Sequence, residues 1–383
     1  MSNTRREDQA SEQDLPDEPV GLGGAADDAE REAVEREHAK LREFVDTLSM
    51  ADIRSGNWFE KLCAYALQSY TEKVDWQYFQ SKYPGLPADN IVDQRIRLAA
   101  RYASLEGVIS AGAYTGAVAA TIGSAGGASP VAVPAGVASV MVDIAYLTRL
   151  QMHLAYDIAV LYRVPLDLAD PEDLWKLIRV AFGIKVGEAV GGGAMRAVPL
   201  MVRPMVRRFI SGPNLAAVRA LPVVGRHLLQ RNIIKIGIPL VGIPLAAGIN
   251  FYSTKVIGAH ARTIFRNEAR IIEIADKLCA RSRNPHLLLW VALTVIRADG
   301  KTSEDETVLL QHLVQKLEAH HNLVDEEFSQ VIDLEPSAVW AKVRSASGDK
   351  SDLVEVAELV AAVDGAVNKH ELRVLQELRA YIR

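Results

Sequence analysis

Between Glu106 and Asp143 lie thirty-six residues without a charged side chain, built mostly from Ala, Gly, Val and Ser and including seven glycines, Pro130 and Pro134. By length alone such a run could span a bilayer. It exceeds the roughly 20 apolar residues that a spanning helix needs, as does, nearly, the second uncharged run from Ile236 to Thr254, IGIPLVGIPLAAGINFYST. Ala, Gly and Ser contribute little to bilayer insertion compared with Leu, Ile, Phe and Val. Glycines four apart (Gly112 and Gly116, Gly123 and Gly127, Gly183 with Gly187 and Gly191) line one face of a helix. Such faces let helices approach closely in membranes and in tight soluble bundles alike. Close helix packing is therefore expected, and the pattern leaves open whether the helices enter a bilayer.

The rest of the chain also follows a helical period. Residues 38–68 do so on either side of a break at Ser55-Gly56-Asn57, residues 137–162 carry apolar side chains at i, i+3 and i+4, and 256–281 form a long helix. Asp170 before Pro171 is an N-cap followed by proline at the first helical position. No window alternates with period two over a useful length, so the fold class is all-α: a Gly/Ala-rich helical bundle followed by a smaller helical domain. Two cysteines, Cys63 and Cys279, exclude a disulfide scaffold and read as core. The first thirty residues hold no apolar core, so no secretory leader is expected and the setting is cytoplasmic.

Charge divides the chain. Residues 1–37 carry twelve acidic groups against four arginines and few large apolar side chains, so they are expected to be disordered, with helix able to begin in the last turns from Asp27. Residues 286–383 have a net charge of −7, which leaves +10 on residues 38–285. No Asp or Glu occurs between Glu188 and Glu268, a stretch that holds Arg196, Arg203, Arg207, Arg208, Arg219, Arg226, Arg231, Lys235, Lys255, Arg262 and Arg266. Three segments follow: 1–37, 38–284 and 285–383.

Residues 105–266 resemble the EcsC protein family: a Gly/Ala-rich uncharged lead, then Asp143-Ile144, Arg149 and Ile158-Ala159-x-x-Tyr162, and a closing segment from Ile238 to Phe265 with Asn250, Thr254, Gly258, Ala261 and Phe265. Where the family has Asp-Ile-Pro this chain has Asp143-Ile144-Ala145, and where it has Tyr-Gly this chain has Tyr162-Arg163. The resemblance implies association with the cytoplasmic membrane. At the other end, LWVALTVIRADGKTSEDETVLLQHL (289–313) aligns with VEVAELVAAVDGAVNKHELRVLQEL (354–378) at nine identical positions, which makes two helix hairpins with Asp-Gly turns. Ser303-x-x-Glu306 is a capping box and Asn368-x-x-Glu371 its near equivalent. This duplication is similar to the TerB-like (tellurite-resistance) domain over 285–383.

Candidate sites follow from these patterns. Asp299, Glu306, Asp364 and Glu371 could face one another and hold a calcium, magnesium or manganese ion through oxygen ligands, a use that the TerB-like resemblance favours. Against it, D-x-[DN]-x-[DN]-G is absent, and the aspartates can shape turns while the glutamates cap helices. Arg149, His153 and Asp157 form an i, i+4, i+8 stripe on the central helix. With Asp143, Tyr162 and Asn250 it is a ligand or proton-handling site, an interhelical polar network, or the exposed edge of an amphipathic helix. The basic residues Arg196, Arg203, Arg207, Arg208, Arg219, Arg226, Arg231 and Lys235, interleaved with Met201, Met205, Phe209 and Leu215, make a surface suited to anionic headgroups. A protein partner or the chain's own acidic ends compete for that surface. Nucleic acid is not expected, because no recognition motif and few stacking aromatics accompany the cations.

No phosphate loop, dinucleotide fingerprint, HExxH, GxSxG or paired CxxC is present. The expectation is a non-enzymatic helical protein on the inner face of the cytoplasmic membrane, coupling an EcsC-like body to an acidic TerB-like interaction or metal-sensing module in envelope stress or transport. A soluble carrier of a lipid or hydrophobic ligand, and a hydrolase with a site near Asp143 and Arg149, are the alternatives.

Overall fold

The computed structural model describes residues 24–49, 51–52, 57–123, 132–183, 242–300, 302–322, 336–365 and 367–382. Twelve helices and no strand occur among the described residues: α1 Gly24–Asp46, α2 Trp58–Thr71, α3 Trp76–Lys82, α4 Ala88–Gly123, α5 Ala132–Leu161, α6 Pro171–Phe182, α7 Gly242–Arg281, α8 Pro285–Ile296, α9 Glu304–His321, α10 Pro336–Ser345, α11 Ser351–Ala361 and α12 Lys369–Ile382. No described helix is long and apolar enough to cross a membrane. Two compact units are formed, one from α1–α6 with α7 as far as Thr263, the other from α7 onward from Ile264 with α8–α12. The division falls inside α7 rather than at 284/285.

In the first unit α5 is the hub, packed by α1, α2, α3, α4 and α6. Helices α4 and α5 are antiparallel. Going down α4, Arg95 meets Asp157 and Asp89 meets Tyr162, partners that lie steadily further along α5. Helix α7 also runs against α4, with Asn250 bonded to Glu106 and Arg262 to Asp93 and Asp89. Between those contacts Gly258 makes the close approach: a Cβ there would stand 2.8 Å from Ile96 Cγ1 and 3.2 Å from Leu154 Cδ2. The residues quoted for the EcsC likeness, Thr254, Gly258, Ala261 and Phe265, are the buried stripe of α7.

Several boundaries differ from expectation, each for a local reason. Helix α1 starts at Gly24, inside the acidic segment, because Val34, Leu41 and Val45 give it a buried face and Glu30 reaches Arg101 at 3.0 Å. Helix α7 starts at Gly242 rather than near 256; Pro244 falls in its first turn, where a missing N–H costs nothing. Gly183 does not continue a helical glycine face: it takes φ +62° and closes α6, its N–H donating to the carbonyls of Arg179 and Val180. Asp170 caps α6 as its sequence predicts, accepting from the Glu172 N–H at 2.9 Å.

The second unit is organised around α8, in which Leu288 through Ile296 are all buried. Helices α8 and α11, equivalent in the duplication, pack on each other, with α9 beside α8 and α12 beside α11. Helix α10 lies outside the duplicated hairpins and fills the remaining face with Val339, Trp340 and Val343.

Candidate functional site

Two polar layers lie along helix α5 and a third lies just past its end at Tyr162. In the first layer, His38 on α1, Glu106 on α4 and Asp143 on α5 each offer one ligand atom, all within 4.8 Å of one another. Glu106 is 1% exposed. Asn250 on α7 donates through Nδ2 to Glu106 Oε2 at 2.7 Å, and the Ser110 hydroxyl donates to Asp143. His38 Nε2 is buried with no hydrogen-bond partner among the described residues. Burial, reinforced by Arg42, holds the His38 imidazole down to about 4, so the ring is neutral at pH 7. Burial pushes the Asp143 carboxyl up to about 7, against the hydroxyl of Ser110. Glu37, the residue before His38, pairs with Arg149, six residues beyond Asp143 on α5.

The second layer is a buried ion-pair network, in which Arg95 Nη1 has no hydrogen-bond partner among the described residues. Arg95 Nη2 and Nε donate to Asp157 Oδ2 at 2.6 and 2.9 Å, and the Tyr70 hydroxyl donates to Oδ1 at 2.6 Å. Arg95 is 1% and Asp157 0% exposed. The His153 ring stacks on Tyr70 with centroids 3.6 Å apart, and its Nε2 donates to the Ala66 carbonyl at 2.7 Å, which fixes the tautomer. Burial keeps that imidazole well below its ordinary value. In the third layer the Tyr162 hydroxyl donates to Asp89 at 2.5 Å, and Arg262 bonds Asp93 at 2.7 Å.

The sequence-predicted polar stripe is therefore divided. Asp143 and Asn250 come together, Arg149 sits beside them on Glu37, and His153 with Asp157 belongs to the network around Arg95. Tyr162 lies nineteen residues from Asp143, about 28 Å along a helix, so the two cannot serve one reacting centre. Sequence reasoning missed His38 and Glu106, although Glu106 and Asp143 are the charges that bracket the uncharged run. Antiparallel pairing of its two halves brings those brackets together.

In the second unit, Glu306 accepts from the Ser303 N–H at 2.6 Å while the Glu306 N–H donates to Ser303 Oγ, a complete capping box. Glu371 accepts from the Asn368 N–H at 2.8 Å, and Asn368 Nδ2 also reaches Asp299 Oδ2 at 3.1 Å, tying the two Asp-Gly turns together. Gly300 and Gly365, which follow Asp299 and Asp364, have φ +73° and +90°. Burial first, and neighbouring carboxylates second (Glu371 and Asp364 for Glu306, Asp364 and Asp299 for Glu371), push both glutamates up. Among the described residues these four acids do not form a donor set within 4.8 Å; the set that does is His38, Glu106 and Asp143.

Arg196, Arg203, Arg207, Arg208, Arg219, Arg226, Arg231 and Lys235 lie outside the described residues. Of the remaining cations, Lys255 and Arg266 are exposed and Arg262 is held by the third layer. No protein-family model, curated protein or solved structure matches the chain.

Proposed function

We propose that this is a non-enzymatic, peripheral membrane protein of the cytoplasmic face, in which the first unit lies against an anionic bilayer and the acidic second unit stays in water as an interaction module. The observation that carries this reading is an apolar edge on the first unit. Ile249, Phe251, Tyr252 and Val256 are all exposed on two turns of α7, Tyr252 at 70%, with Lys255 among them. Val108 on α4 is exposed at the same level, which the Asn250–Glu106 bond fixes. An aromatic-rich apolar edge with a cation suits the headgroup–acyl boundary. Ile249, Phe251 and Tyr252 belong to the Ile236–Thr254 run, which follows in sequence the eight cations at 196–235, each worth about 1 kcal/mol near anionic lipid.

The EcsC-like and TerB-like resemblances point the same way and add a role in envelope stress or transport. The test is flotation of the full chain with phosphatidylcholine vesicles, with and without phosphatidylglycerol. Flotation that requires the anionic lipid and is released by high salt supports the reading. No flotation with either vesicle ends it, and flotation resistant to salt but not detergent would replace surface binding with insertion.

A further inference from the structure

We propose that His38, Glu106 and Asp143 bind a divalent first-row transition ion, with zinc as the best match, held between α1, α4 and α5. The donor chemistry is one imidazole nitrogen and two carboxylates, which suits zinc, cobalt, iron(II) or manganese better than the oxygen-only preference of calcium and magnesium. The three ligand atoms already converge within 4.8 Å. Metal bonds of about 2.0–2.2 Å place ligand atoms about 3–3.5 Å apart, so modest side-chain rotations complete the set.

Three observations make this more than a collection of polar groups. The donors come from three separate helices of one unit, so packing converges them and local sequence does not. His38 Nε2 is buried without a hydrogen-bond partner among the described residues. An outer shell is in place: Asn250 Nδ2 orients Glu106 and the Ser110 hydroxyl orients Asp143, the kind of support that fixes ligating carboxylates. The buried Glu106 and the half-buried Asp143 supply two carboxyl groups beside the imidazole, and a dication would take the place of the proton that burial keeps on Asp143. Arg42 works in the opposite direction, and Arg149 is neutralised by Glu37. Three protein ligands leave at least one coordination position for water or a ligand group.

The experiment is equilibrium dialysis of the full chain against zinc and against cobalt(II), with bound metal counted by mass spectrometry. One equivalent is expected on the first unit. His38→Gln, Glu106→Gln and Asp143→Asn should each weaken binding at least tenfold with helical circular dichroism retained, and Asn250→Ala should weaken it roughly 10–100-fold. Asp299→Asn/Asp364→Asn should leave this equivalent intact. X-ray absorption of the zinc-loaded unaltered chain, which requires no variant to fold, should show one imidazole in an oxygen shell. Absence of binding, binding unchanged in His38→Gln and Asp143→Asn, or a shell lacking imidazole each overturns the proposal. Metal binding without vesicle binding, or the reverse, separates this inference from the proposed function.

Discussion

The first polar layer makes a pH prediction in which two groups oppose each other. In the folded chain burial takes His38 from 6.5 to about 4 and Asp143 from 3.8 to about 7. Between pH 4 and 6.5 the unfolded chain carries a proton on His38 that the folded chain lacks. Stability from this group is therefore present above pH 6.5 and lost as pH falls towards 4, by roughly 3 kcal/mol at about 1.4 kcal/mol per pH unit. Asp143 does the reverse. The folded chain holds a proton that the unfolded chain has shed, so its contribution is present below pH 4 and lost as pH rises to 7, by roughly 4 kcal/mol. The two slopes cancel over pH 4–6.5. Each single substitution exposes the other group: Asp143→Asn should give a first unit that gains stability relative to wild type across this range, and His38→Gln one that loses it. The assay is native-state hydrogen exchange of α5 amides in urea, which reads the first unit, with difference curves removing every other titrating group. Curves for both variants that run parallel to wild type would refute the burial argument. If zinc binds here, saturating metal should abolish the wild-type decline near pH 7.

Breaking the buried pair should be far costlier than replacing it: Asp157→Ala is expected to destabilise the first unit by about 3–5 kcal/mol, whereas Arg95→Met/Asp157→Leu should come close to wild type in urea midpoints. Gly258→Ala should cost about 1–3 kcal/mol through the clash with Ile96, and Ile96→Ala in the same chain should recover part of that loss by thermal unfolding. Arg163 sits at φ +57° after α5, with the Val164 N–H reaching the Ala159 carbonyl at 2.9 Å, and its guanidinium lies 4.2 Å from the Trp76 ring centroid. Arg163→Gly should therefore relieve about 1 kcal/mol of backbone strain while losing about 0.5–1 kcal/mol of cation–π attraction, a near-neutral exchange by urea unfolding. In the second unit, Glu306→Ala should cost about 1 kcal/mol as a lost cap.

What the sequence made legible was the class of each element and the punctuation between elements. The helical period over 137–162, the Asp170-Pro171 start and the capping box at Ser303 are local features, fixed within four residues, and the structure places them as read. The duplication was legible for the same reason, since it repeats along the chain. Partnerships across helices were not. Asp157 pairs with Arg95, sixty-two positions earlier, and Asp143 converges with His38 and Glu106; no periodicity within one helix encodes such a choice. The stripe on α5 therefore looked like one site and resolves into three layers, because residues four apart on a helix rise about 6 Å per step and meet different neighbours. The register could have been found from the charges bracketing the uncharged run, had its halves been paired as a hairpin. Helix α1 was legible from Asp27 and over 38–46, and only its start at Gly24 and the burial of Val34 within the acidic segment were not.

The membrane proposal rests on one edge of α7, and a nitroxide placed there tests it most directly. Cys63 and Cys279 are both buried, and burial raises both thiols, Cys279 to about 12, so a single introduced cysteine can be labelled selectively. Labels at Tyr252→Cys and at Leu86→Cys compare two exposed positions of the first unit. Leu86 precedes α4, about 30 Å along that helix from the level of Glu106 and Asn250. On anionic vesicles the label at 252 should become accessible to dissolved oxygen and shielded from an aqueous nickel chelate, about 5–10 Å into the boundary region, while the label at 86 stays aqueous. A label at 252 that remains aqueous on vesicle-bound protein, or a label at 86 that enters instead, contradicts the account.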